Sequence, residues 1–209
     1  MSELETAPVP SDQRLLRGAR ARQAIARHAA DVASLEGLSG LSIGRLATDL
    51  QLSKSGIATL FGTKERLQLA AVAAAHEAFL DAVVRPTTAA APGADRLRAI
   101  TERWIEYICT PLFPGGCFWV ANLADFDSRP GPVRDSLLRK HQDWLALIAG
   151  EFQSAVDQGQ IPDTDVEVAT FQLAAVLAAA NTAVLIDDPR AGDKARKILE
   201  SLLAPRTAA

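Results

Sequence analysis

Cysteine is almost missing from this chain: Cys109 and Cys117 are the only two in 209 residues. Two thiols cannot by themselves form a zinc site, and they exclude a disulfide-stapled secreted scaffold. A reducing cytoplasm is the expected compartment. Aromatic residues reach only 5%, and the backbone breakers Pro and Gly number 11 and 13. No segment alternates strictly between apolar and polar residues, which argues against half-buried strands. Internal repeats are absent too, and Met1–Gln13 is polar and acidic, without the apolar core of a secretory signal peptide. What is plentiful is Ala and Leu, which lose little on entering a helix. With 48% hydrophobic and 22% charged residues, the chain reads as an all-α globular protein with a sizeable core.

Catalytic signatures are missing as well. His28, His76 and His141 are isolated, with no HExxH spacing and no partnered Cys. There is no GxSxG elbow, Walker-type loop or dinucleotide fingerprint, so neither an enzyme, a cofactor nor a metal is expected. Asp125, Asp127 and Asp135 look like a carboxylate cluster, but Arg129 and Arg134 lie among them and favour structural pairing. One uncharged run, Val168–Ile186, spans 19 residues and is long enough for a membrane helix. It contains Thr170, Gln172, Asn181 and Thr182, and it lacks Lys, Arg or Trp anchors. A buried helix at a subunit interface is the better reading, with no membrane partner.

The net charge of −3 conceals an asymmetry. Arg14–Ala70 holds nine Lys and Arg against four acids, whereas the flanking segments are acidic. A basic head on an acidic body suits a polyanion partner; a solvated Arg-rich helix would look the same.

Helical spacing runs from Arg14 to Leu35 and is broken at Gly37 and Gly40. Ser42 can cap Ile43–Leu50, with Leu41 and Leu46 as a hydrophobic staple, and Ser53 can cap Lys54–Phe61, with Leu52 and Ile57 placed alike. Only Gln51 and Leu52 separate these helices, so they must cross steeply. Gly62 closes the second, and Thr63 opens a long helix, Lys64–Arg85, expected to stop at Pro86. This is a helix-turn-helix pattern, with motif 42–61, in which the outer face of Lys54–Leu60 is free to enter a major groove. Further helices are expected at Asp95–Cys109, Cys117–Phe126, Pro132–Gln158, Asp163–Ile186 and Asp193–Leu203. The expected division is a DNA-binding head, 14–80, and a helical body, 81–209.

Gly40-Leu-Ser-Ile-Gly-Arg-Leu-Ala47, followed by Leu52-Ser-Lys-Ser-Gly-Ile-Ala-Thr-Leu-Phe61-Gly-Thr-Lys-Glu-Arg-Leu67, resembles the amino-terminal domain of TetR/AcrR-family repressors. Gly115-Gly-Cys-Phe-Trp-Val and Asp125-Phe-Asp-Ser-Arg-Pro-Gly-Pro-Val-Arg-Asp135 look like the carboxy-terminal domain of one branch of that family. The resemblance implies a homodimeric regulator, most often a repressor, released from a double-stranded DNA operator by a small-molecule inducer, with 81–209 as the ligand-binding and dimerisation domain. This sequence departs from the pattern at Ala58, where the family often has an aromatic, and at Leu60, where it often has His. Both departures remove expected contacts to the DNA backbone.

Lys54, Ser55 and Thr59 carry the chemistry for base edges, with Ser53 at the start of the same helix. Lys64 follows the Thr63 cap, where helix amides and an ammonium can meet a phosphate. Arg45, Thr48, Arg17 and Arg20 are further phosphate candidates. For the pocket that the resemblance implies, the candidates are Trp104, Tyr107, Trp119, Phe126, Trp144 and Phe171, with Asn122, His141 and Gln142 as polar groups. On the uncharged helix, Ala175, Ala178, Ala179 and Thr182 share one face, and Ile198 and Leu202 can flank that seam in a homodimer. The alternative function is an all-α small-molecule-binding protein without operator binding.

Overall fold

A computed structural model describes residues 10–204, so the reading of Met1–Val9 lies outside the described residues. Within them the chain is helical, without a strand: α1 (Pro10–Gly40), α2 (Ile43–Asp49), α3 (Lys54–Phe61), α4 (Lys64–Phe79), α5 (Ala94–Cys109), α6 (Phe118–Phe126), α7 (Pro132–Asp157), α8 (Val166–Leu185) and α9 (Ala191–Leu203). The last turn of α1 is broken at Gly37, whose φ of 74° is a conformation that side chains disfavour.

The three head caps form as their chemistry dictates. The Ser42 hydroxyl accepts from the Arg45 amide at 3.1 Å, Ser53 from Gly56 at 3.0 Å, and Thr63 from Arg66 at 3.1 Å. Between α2 and α3 the chain turns through Gln51, at φ 54°, and Leu52 donates to the Ala47 carbonyl at 2.9 Å. This tight turn brings Leu41, Leu46, Ile57 and Phe61 into one buried cluster against α1 and α4.

The long helix after Thr63 does not stop cleanly at Arg85. Its α-helical run ends at Phe79, continues as a π-helical segment over Leu80–Val84, and tightens into a 3-10 turn over Arg85–Ala89. Pro86 sits in the first turn of that last segment, so the run passes through the proline with a change of pitch.

The body packs α5, α6 and α7 with α8 and α9, and its core is continuous with that of the head. Two salt bridges clasp α5 to α9, Arg98–Glu200 at 2.8 Å and Arg196–Glu102 at 2.7 Å. Head and body meet through α1 and α6. Gly115, before α6, lies so close to α1 that an added Cβ would fall 2.0 Å from the Ser34 carbonyl oxygen. Arg27 of α1 lies over the Phe113 ring at 4.4 Å and donates to the Leu112 carbonyl at 2.7 Å.

Candidate operator interface and ligand cavity

The second helix of the motif, α3, buries Ile57 and Phe61 and leaves Lys54, Ser55, Gly56 and Thr59 exposed on its opposite side. The Thr59 hydroxyl donates to the Ser55 carbonyl at 2.8 Å, which leaves its oxygen free to accept. Ser53 is committed to its cap, and Ser55 donates to it at 3.3 Å. The Lys54 stem runs back beside Gly44 at the start of α2.

Much of the basic excess turns out to be structural. Arg45 is held by Asp49 and Glu36, each at 2.8 Å, and His28 meets the same Asp49 at 3.1 Å. Hydrogen bonds from Arg45 and His28 hold the Asp49 carboxyl below its ordinary range. Arg22 donates to the Leu60 carbonyl and lies 4.5 Å from the Phe61 ring centroid, so it fastens α3 to α1. Sequence reasoning gave Arg22 no role, because nothing local marks an Arg as a partner for a ring 39 positions away. Lys64 donates to the Ser39 carbonyl at 2.6 Å, at the turn between α1 and α2. Arg17 and Arg20 are exposed on α1, and Thr48, on α2, donates to the Gly44 carbonyl at 3.1 Å.

In the body, a cavity of about 360 Å³ opens between α4, α5, α6, α7 and α8. Trp104, Trp119 and Trp144, all the tryptophans of the chain, line it together with Phe79, Leu123, Leu147 and Leu177. Phe79 and Trp144 meet edge to face at 5.2 Å, and His76 meets Trp119 at 6.1 Å. His76, Lys140, His141 and Asp143 supply the polar groups of the wall. Burial pulls the His76 and His141 imidazoles below their ordinary pKa, with the Lys140 charge adding to the effect at His76.

Of the expected pocket residues, Trp104, Trp119, His141 and Trp144 face this cavity, and the others do not. Tyr107 is buried beside it against Phe79 and Phe113, with its hydroxyl accepting from the Phe118 amide at 3.1 Å. Phe126 is buried under the Arg129 guanidinium at 5.7 Å. Phe171 is 74% exposed on the outer side of α8, and Gln142 is exposed on α7. Asn122 is a structural knot: fully buried, it accepts from the Leu38 amide at 2.7 Å and donates to the Ala33 carbonyl at 3.2 Å. The missed wall residues His76, Phe79 and Lys140 stand on α4 and α7, whose inner faces the helical period alone could have nominated.

Asp125 accepts from the Ser39 amide at 2.9 Å and hydroxyl at 2.8 Å, and pairs with Arg129 at 3.4 Å. Arg134 reaches the Asp127 carbonyl at 2.9 Å. No cluster able to hold a metal occurs among the described residues. Thus α6 presents Trp119, Val120 and Leu123 to the cavity, and Asn122 and Asp125 to the end of α1.

On α8, Ala175, Ala179 and Thr182 are exposed, whereas Ala178 is half-buried and lines the cavity. Ile198 is exposed and Leu202 half-buried on α9. Phe171, Leu185 and Ile186 extend the exposed apolar face of α8. By length and composition alone, Val166–Leu185 and the helical run Lys64–Ala89 are each long and apolar enough to cross a membrane.

A helix-turn-helix head joined to a helical body with an apolar cavity defines the class of ligand-regulated DNA-binding proteins. A family model described as "Tetracyclin repressor-like, C-terminal domain" matches residues 93–199, just over half of the chain. The chain therefore belongs to the TetR family of transcriptional regulators. No curated protein matches it in sequence. Among solved structures, a TetR transcriptional regulator from Chloroflexus aurantiacus superposes with a TM-score of 0.81 at 22% identity, covering 88% of this chain and 94% of that one. AibR, solved with isovaleryl coenzyme A and operator DNA, gives 0.73 at 19% identity, over 87% and 97%. A regulator from Saccharomonospora viridis in complex with choline gives 0.74 at 22% identity, over 88% and 95%.

Proposed function

We propose that the protein is a cytoplasmic, non-enzymatic homodimeric repressor, released from a palindromic operator by a small apolar or amphipathic molecule bound in the body cavity. The observation that carries this reading is the double role of α6. Its Trp119, Val120 and Leu123 wall the cavity, while Asn122 and Asp125 hold the Leu38–Ser39 end of α1. A ligand that repacks the cavity wall thereby changes how the head is held. Its effect on DNA binding equals its differential affinity for the two arrangements.

In this reading the two units are the head, 14–80, and the body, 81–209. Lys54, Ser55 and Thr59 read base edges, while Lys64, Arg17, Arg20 and Thr48 position the phosphates. Ser53 and Arg45 act through the α3 cap and the Asp49 pair. Two copies join through the exposed faces of α8 and α9, around Ala175, Ala179, Thr182 and Ile198. This covers the apolar strip with protein instead of lipid and sets the two α3 helices about 34–36 Å apart.

The test is a mobility shift on the DNA upstream of the protein's own gene. A retarded complex that disappears when one half of the bound palindrome is scrambled supports the reading. Absence of any sequence-dependent shift favours a ligand-binding protein that lacks an operator.

A further inference from the structure

The cavity wall is apolar and aromatic over most of its extent, but one cation stands in it. Lys140 of α7 is half-buried and lines the cavity, and among the described residues it makes no hydrogen bond or ion pair. A half-buried ammonium that lines a cavity and has no ion-pair partner is placed to take an anion beside it through charge-assisted hydrogen bonds. The acids nearby are poorly placed for this. Asp143 lines the same cavity but is exposed to water, and Glu77 is exposed and paired with Arg85 at 2.8 Å. Arg85 is in turn occupied by Glu77 and Asp81. Lys140 is thus the one Lys or Arg among the cavity-lining residues, and the one carboxylate that lines the cavity with it, Asp143, is exposed to water.

Resting on the reading of this cavity as the effector site, we propose that its ligand is an amphipathic monoanion. An apolar carboxylate lies with its tail against Trp104, Trp119 and Trp144 and its head on the Lys140 ammonium. The neutral His76 and His141 imidazoles beside it offer N–H donors to the carboxylate oxygens without adding a second charge. At about 360 Å³ the cavity is at the small end of ligand sites, which suits a free acid better than a large conjugate.

Because every tryptophan of the chain lines the cavity, intrinsic fluorescence reports its occupancy directly. The full-length protein is titrated with octanoate, octanol and octyltrimethylammonium, which share a tail and differ in head charge. Octanoate is expected to bind at least roughly tenfold more tightly than octanol. Lys140→Met should abolish that preference, and Lys140→Arg should keep it. Melting curves of both variants confirm that they fold. Equal binding of acid and alcohol, or a preference that survives Lys140→Met, overturns the charge assignment but leaves the cavity as an effector site. Tightest binding by the quaternary ammonium overturns it in favour of a cation held near Asp143. If no probe alters the emission or the melting temperature, the effector-site reading falls together with the proposal.

Discussion

Truncating Asn122 to Ala removes the central tie between body and head. The side chain is fully buried, and its oxygen is the acceptor for the Leu38 amide at 2.7 Å. Its amide group donates to the Ala33 and Phe118 carbonyls at 3.2 and 2.8 Å. In the variant the Leu38 N–H loses its acceptor in a site that water reaches poorly, which costs about 1–3 kcal/mol. The void and the two lost donations bring the expected destabilisation to roughly 2–4 kcal/mol. For a chain of this length each kcal/mol lowers the melting temperature by about 2–4 °C, so a fall of roughly 4–16 °C is expected. Urea and thermal unfolding at one fixed protein concentration measure it, because the proposed dimerisation would make the midpoint concentration-dependent. The coupling is read separately, as the ratio of operator affinities with and without a cavity ligand. That ratio should shrink towards one in the folded variant, since α6 no longer grips α1 at Leu38. A loss below about 0.5 kcal/mol, within the scatter of ordinary surface substitutions, would refute the reasoning. So would an undiminished ligand response.

Thr59→Ala and Lys54→Ala should each change operator preference, with about 1–3 kcal/mol lost at the affected base pair in competition binding. Lys64→Ala should weaken all sequences alike and lower the salt slope by about one. Ala179→Arg places a charge on the exposed face of α8 without lining the cavity, unlike Ala178. It should yield monomers in sedimentation, with an intact fold by circular dichroism. His76 and His141 are pulled below the ordinary value of 6.5, so the unfolded chain takes up protons first as pH falls. Stability should therefore decline on acidification below about pH 6.5, and a His76→Asn, His141→Asn double variant should flatten that decline in urea titrations.

The parts legible in the sequence were those written in local chemistry. Ser42, Ser53 and Thr63 stand where an orphan helix amide needs an oxygen, and each accepts one. The helical period likewise sorted Ile57 and Phe61 inward and Lys54 and Thr59 outward. The cavity was legible only in part, because an aromatic residue looks the same whether it faces a cavity, a core or water. Trp104 and Trp144 line the cavity, Tyr107 packs behind it, and Phe171 points outward. Asn122 looked like a polar pocket group, but its partners Leu38 and Ala33 lie more than 80 positions away, on the far side of α6. Pro86 misled in another way: the helix changes pitch ahead of it and tightens around it instead of ending there.

Selection of bound sequences from random double-stranded DNA with the purified protein tests the central claim most directly. The account predicts a palindromic consensus whose half-sites lie about one helical turn apart, or a multiple of it, and whose base preferences change with Thr59→Ala. Enrichment of no sequence, or of a single unrepeated half-site by a dimeric protein, would contradict it.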